Sequence, residues 1–218
     1  PFGGIANPAD TPKAIFVSCF DSAPLAPDYN FILKDFQNEF LAGLNIIQKL
    51  TSGKLYLCMN DKQDNAFFEK AEHIEKCYFS GPHPAGNVGT QINCIAPISK
   101  GEVVWYIEPQ NIVTIGKLFL HKCLDFSKTI ALTGPEAVQP RYVRMINGAS
   151  VKNLGASNDG SVIRMVSGNV LTGKKIDGEC FIGYDDRQIT LLSEGGKRCL
   201  FGWLGTGFRH WSHSHAYL

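Results

Sequence analysis

Strand-like and helix-like stretches alternate through the first half of the chain, and that alternation limits the fold more than any single motif. The run at residues 14–19, Ala-Ile-Phe-Val-Ser-Cys, is apolar, rich in β-favouring residues and too short for a helix, so it reads as a buried strand. Phe36, Phe40, Leu44, Ile47 and Leu50 then recur at intervals of three and four, one stripe of a helix, with Gly53 where a C-cap glycine belongs. Residues 54–59 resume strand character, 65–71 read as a short helix capped by Asp64, and 73–79 as a third strand. A further strand near 103–107 and a helix over 111–123, with Ile112, Ile115, Phe119 and Cys123 on one face, complete the series. Such a succession predicts a mostly parallel sheet with right-handed crossovers, an α/β unit of Rossmann-like pattern.

Beyond Gly134-Pro135 the texture changes. Strand-length runs at 129–133, 142–146, 162–166, 180–182 and 188–192 alternate with glycine turns at Gly148, Gly160, Gly168, Gly173, Gly178 and Gly195-Gly196. Only 151–154, with Ser150 as cap, looks helical. These features predict a small mixed sheet with one short helix, and a seam near 134–140. Asp185-Asp186 reads as a hairpin turn. Residues 207–218 are aromatic and His-rich without periodicity, and they read as the start of another region.

Composition narrows the function classes. No apolar run approaches the roughly 18 residues that a membrane-spanning helix needs. The net charge of +1 gives no electrostatic ground for nucleic-acid binding. The halves differ: from Arg141 onward ten Lys and Arg face six Asp and Glu, against eleven and fourteen before it. The seven cysteines are an odd, dispersed set without a C-x-x-C pair, which reads as reduced core thiols and not as a thiolate metal or iron–sulfur site. His210, His213 and His215 have spacings that fit a surface or interface tail better than a metal grip.

Several chemistries lack their residues. A dinucleotide site needs glycines directly after the first strand, so that pyrophosphate can approach a helix N-terminus. Here Phe20-Asp21-Ser22-Ala23-Pro24-Leu25-Ala26-Pro27 follows, with two prolines and a carboxylate that repels phosphate. There is no G-x-S-x-G, no H-E-x-x-H and no P-loop. The distinctive segment is Ser80-Gly81-Pro82-His83-Pro84-Ala85-Gly86-Asn87-Val88-Gly89-Thr90, which packs three glycines, two prolines and a histidine between strand-like stretches. Glycine permits close approach and proline fixes φ, so the segment reads as a rigid lip around a ligand, with His83 able to donate to a carbonyl or quinone oxygen or simply to hold the turn.

Gly81-Pro82-His83-Pro84-Ala85-Gly86 with Val88-Gly89-Thr90 resembles the A subunits of Na+-translocating NADH:quinone oxidoreductases, a bacterial respiratory family. The likeness extends through Lys13-Ala14-Ile15-Phe16-Val17, Ala42-Gly43-Leu44, Ile115-Gly116-Lys117-Leu118-Phe119-Leu120, Leu132-Thr133-Gly134-Pro135, Gly148-Ala149-Ser150 and Leu200-Phe201-Gly202-Trp203. Asn87 and Asn147 depart from the family pattern. The resemblance implies a Rossmann-like domain over 1–136 with a degenerate nucleotide site, a small β-grasp-like α+β domain of the soluble-ligand-binding kind over 137–206, and the start of a truncated region at 207–218. It implies a chain that is about half of such a protein and inactive by itself. It also implies a peripheral subunit, without a transmembrane segment, on the cytoplasmic face of the bacterial inner membrane. There it would support electron transfer from NADH to ubiquinone coupled to Na+ export. Its partners would be the other subunits, and no cofactor is expected on this chain, whereas the whole complex uses NADH, FAD, FMN, iron–sulfur and quinone. Gly81, Pro82, His83, Pro84, Gly86, Gly89 and Thr90 are the candidate quinone or ligand loop, with no catalytic or metal residue assigned. Two other readings stay open. One is a flavin- or NADH-binding subunit of the complex I or ferredoxin:NAD oxidoreductase type, holding nucleotide through the 81–90 loop. The other is a binding module whose second unit engages a partner through Arg141, Arg144 and Arg164, residues that surface salt bridges equally explain.

Overall fold

A computed structural model of the chain describes residues 4–151, 154, 163–176 and 181–194. The elements are β1 (Ala14–Ser18), α1 (Tyr29–Leu33), α2 (Gln37–Ile47, extended by a 3-10 turn at Gln48–Leu50), β2 (Lys54–Asn60), α3 (Ala66–Glu69) and β3 (Glu75–Phe79). There follow α4 (Val88–Ile95), β4 (Val104–Ile107), α5 (Pro109–His121), β5 (Ser127–Thr133), β6 (Arg141–Ile146), β7 (Ile163–Ser167), β8 (Lys174–Ile176) and β9 (Gln188–Ser193).

The first sheet is wholly parallel, in the order β3-β2-β1-β4, so the chain runs outward from β1 and then crosses to its other side. Right-handed crossovers in opposite directions place helices on opposite faces. On one face Ile15, Val17, Leu55, Leu57 and Met59 pack against Phe40, Leu44 and Ile47 of α2 and Ile112 and Val113 of α5. On the other, Ala14, Phe16 and Cys58 meet Val88, Ile92 and Ile95 of α4. Covered on both sides, β1 is buried at all five positions, which is why it is apolar from Ala14 to Val17 and ends in a serine whose hydroxyl is hydrogen-bonded. The helices α2 and α5 touch backbone to backbone through two glycines. A Cβ on Gly43 would lie 2.2 Å from the Ile112 carbonyl oxygen, and one on Gly116 would lie 1.8 Å from that of Glu39.

The second sheet, in the order β6-β5-β9-β7-β8, is antiparallel except where β5 and β9 run parallel. Ile130, Leu132, Ile189 and Leu191 form its core, with Val151, Ala137 and Ile182 over them. The whole is therefore a parallel α/β unit followed by a small mixed-sheet unit, as the alternation predicts.

Several details differ from the sequence reading. Val88, Gly89 and Thr90 are the first turn of α4 and not loop: Asn87 is extended, and Val88, Ile92 and Ile95 then present one apolar edge to the sheet. The short helix escaped notice because Gly89 and Asn93 dilute its pattern. The α2 stripe ends at Ile47, and Leu50 is 54% exposed on the 3-10 turn. Gly53 is not a helix cap: a Cβ there would lie 1.9 Å from the Lys13 carbonyl oxygen. The predicted 111–123 helix begins at Pro109, a proline at N1, and stops at His121, so Phe119 is 63% exposed and Cys123 lies outside it. The seam expected at 134–140 follows β5, yet all of β5's strand pairing is in the second sheet. β8 was not foreseen, and Asp185-Asp186 sits in a turn leading into β9, whose partners are β5 and β7, so it is no simple hairpin. Among the cysteines, Cys19 and Cys58 are core thiols, held protonated chiefly by burial, but Cys94 and Cys123 are exposed. The predicted helix at 151–154 falls mostly outside the described residues, as do Cys180, Cys199, Gly160, Gly178, Gly195-Gly196, the three C-terminal histidines and the 207–218 region.

Candidate functional site

In an open parallel sheet the ligand crevice lies beyond the strand C-termini, where strand order reverses; here that place is between β1 and β4. The segments that meet there are residues 19–28 after β1, the 80–87 turn after β3, and Glu108, the N-cap of α5, after β4. A cleft of about 240 Å3 opens between this edge and the second unit. Asp21, His83 and Asn87 line it from the first unit; Asn169, Asp185, Asp186 and Arg187 are among the residues that line it from the second.

The 80–87 segment is folded on itself. Ala85 N–H donates to the Pro82 carbonyl at 3.0 Å and Asn87 N–H to that of Pro84 at 2.8 Å, and Gly81 has a φ of 128° that favours glycine. Gly86 is buried against the segment after β1, where a Cβ would stand 2.3 Å from the Ser22 nitrogen. Its N–H donates to Ser22 Oγ at 2.8 Å, and its carbonyl accepts from Ser18 Oγ at 3.2 Å. His83 follows, with Nδ1 3.1 Å from Ser22 Oγ. Of the candidate loop residues only His83 lines the cleft; Gly81 and Gly86 shape the turn, Pro82 and Pro84 carry it, and Gly89 and Thr90 belong to α4.

The centre of the crevice is held by Arg187, which arrives from the second unit. Its Nε donates to Glu108 Oε1 at 2.8 Å, Nη2 lies 2.7 Å from the same oxygen, and Nη1 reaches Asp21 Oδ2 at 3.3 Å. Burial alone would lower the guanidinium pKa, but the Glu108 and Asp21 carboxylates beside it hold it in the charged form. Gln188 Nε2 donates to the Pro24 carbonyl at 3.3 Å, a second pin from the same turn. Lys128 steadies that turn by donating to the Gly183 and Tyr184 carbonyls, and burial lowers its pKa. Sequence reading missed Arg187; the only local signal was its place after Asp185-Asp186 in a segment read as a turn.

These residues do not fit a phosphate of a flavin or nicotinamide nucleotide. Asp21 lies where phosphate would approach and turns its other oxygen to the Ala23 N–H at 2.8 Å. The N-terminus of α1 is capped by the Asp28 carboxylate, which accepts from Asn30 N–H at 2.9 Å. Arg187 is spent on two carboxylates. Among the described residues no group of three His, Cys, Asp or Glu side chains would hold a metal, and no helix is long and apolar enough to cross a membrane. Away from the cleft, Arg144 pairs with Asp125 and Arg164 with Glu194, while Arg141 donates to the Gln139 carbonyl.

Comparison with known proteins agrees with this division of the chain. Residues 1–124 match the family model described as the NqrA second alpha/beta domain, and residues 129–178 match the NQRA C-terminal domain. The two matches meet at the connection between α5 and β5. Three relatives, each named as the A subunit of a Na(+)-translocating NADH-quinone reductase, are similar over the whole chain. They come from Alcanivorax borkumensis (36% identical), Pasteurella multocida (37%) and Vibrio alginolyticus (35%). In each case this chain spans 49% of the relative, about half its length. With the α/β unit matched along its length and the second unit matched beside it, the chain belongs to the NqrA family.

Proposed function

We propose that the chain is the central part of a peripheral subunit of a Na+-translocating NADH–quinone reductase, lying on the cytoplasmic face, with an α/β scaffold that carries no flavin and a turn at 81–87 that borders the path of the quinone. The observation that carries the reading is the Arg187 guanidinium lodged between Asp21 and Glu108, where a nucleotide-binding relative of this fold takes phosphate. A scaffold of this kind serves assembly, and the redox groups NADH, FAD, FMN and the iron–sulfur centre belong to the partner subunits. The cleft beside Arg187, bordered by His83, is a concave polar surface at the strand ends, which favours a ligand lip there over a simple connector.

The test uses the assembled complex with the full-length subunit. Labelling by a photoreactive ubiquinone analogue is expected on the peptide containing residues 81–87, and flavin is expected to separate with the other subunits when the complex is dissociated. Flavin retained by this subunit, or labelling confined to other subunits, contradicts the proposal.

A further inference from the structure

The hydrogen bonds around His83 fix more than the position of the ring. Ser22 Oγ accepts from Gly86 N–H at 2.8 Å and lies 3.1 Å from His83 Nδ1. A hydroxyl has a single proton, and among the described residues Nδ1 is the only acceptor within reach of this one. That arrangement favours Ser22 donating to Nδ1, with the hydrogen of a neutral imidazole on Nε2. The reverse tautomer would make Ser22 Oγ accept twice and leave its proton without a protein partner. Nε2 has no partner among the described residues, and His83 lines the cleft.

Two other polar side chains of the cleft can donate in the same neutral way. Asn169 Oδ1 is occupied by the N–H groups of Leu171 at 2.9 Å and Thr172 at 3.0 Å, which leaves its Nδ2 to donate. The Asn87 side chain, at the start of α4, makes no capping bond. Three carboxylates, Asp21, Asp185 and Asp186, line the cleft with the one guanidinium that is already shared, so the local potential disfavours anions.

We propose that Ser22, seated by Gly86, is a positioning residue that holds His83 as an Nε2–H donor, and that the interunit cleft thereby takes a small neutral molecule through a carbonyl oxygen while rejecting phosphate. The tautomer stands independently of the proposed function; the ligand class rests on reading the 81–87 turn as a ligand lip.

The experiment is heteronuclear NMR of the uniformly 15N-labelled chain, above about pH 7.5 where a reference imidazole is neutral. His83 is expected as the Nε2–H tautomer, shifted toward a mixture in Ser22→Ala and restored in Ser22→Thr, which keeps the hydroxyl and controls for folding. A fully ring-substituted benzoquinone, unable to add to the exposed Cys94 and Cys123 thiols, is then titrated in. It should move the His83, Asn169 and Gly173 signals, with about tenfold weaker affinity in Ser22→Ala for one lost hydrogen-bond donor geometry. Inorganic phosphate should move none of them. An Nδ1–H tautomer in the unaltered chain, or an unchanged ratio in Ser22→Ala, overturns the Ser22 assignment. The expected tautomer with shifts from phosphate and none from the quinone overturns the ligand class. Quinone binding here with no photolabelling of the turn in the complex leaves this inference standing and defeats the proposed function instead.

Discussion

The contact between α2 and α5 and the seam between the two units are built from opposite materials. The first is apolar and made at backbone distance, with Gly43 and Gly116 admitting the facing carbonyls and Phe40, Leu44 and Ile112 filling the space beside them. The second is mostly a row of polar pins: Arg187 on Asp21 and Glu108, Gln188 on Pro24, the Tyr142 hydroxyl accepting from Asp28 N–H, and Gln110 bonded to both the N–H and the carbonyl of Thr129. One apolar contact, Phe31 stacked on Tyr142 at 5.1 Å, joins them. The α/β unit is thus held by shape and burial, whereas its relation to the second sheet is set by charge and hydrogen bonding. On the proposed reading, a scaffold without a nucleotide still needs its helices packed, while its strand-end crevice is free to be used for joining units.

Breaking the apolar side should have the largest effect. Gly116→Val places carbon atoms against the Glu39 backbone, and the helices must part; a loss of about 3 kcal/mol or more is expected in urea unfolding, with much of the chain insoluble. If stability is unchanged, the helix contact is looser than described. Arg187→Met strands two carboxylates and should cost about 3 kcal/mol. It should also split unfolding into two transitions as the units uncouple. Adding Asp21→Asn and Glu108→Gln should recover most of the loss, and a failure to recover would mean that Arg187 acts through packing.

Asp125, in the connection between the units, sharpens the comparison through pH. Hydrogen bonds from Lys117 and Ser127 hold its carboxyl well below the usual range, with Lys117 Nζ at 2.8 Å. A depressed folded-state pKa gives stability that is present above the unfolded value and fades as pH falls below it. The chain should therefore lose stability below about pH 4, and Asp125→Asn should remove that part of the acid limb while costing about 1–2 kcal/mol at pH 7. The smallest effect expected is from Gln110→Ala, about 1 kcal/mol for two hydrogen bonds to β5, read as a change in the unfolding midpoint with the urea slope preserved.

The α/β half was legible because its signals are local. The apolar run Ala14 to Val17 of β1, the α2 stripe and the spacing of Ile112 and Ile115 in α5 each declare themselves within a few residues. Asp21, Pro24 and Pro27 likewise announced a poor phosphate site. Arg187 was not legible, because its partners lie far away in sequence and Asp185-Asp186-Arg187 has the composition of any exposed turn. His83 was singled out for its stiff surroundings, yet Ser22, which orients it, looked like an ordinary loop serine; only the approach of Gly86 joins the two. The short helix α4 was missed because Gly89 and Asn93 dilute its apolar edge, and β8 because three residues are too few to show an alternation.

The most direct test of the closed crevice is a thermal-shift titration of the chain with FMN, followed by desalting. No rise in Tm and no flavin absorbance retained are expected for the unaltered chain. A rise that saturates at micromolar FMN, with colour surviving the desalting column, would show that Arg187 does not occupy the nucleotide's place.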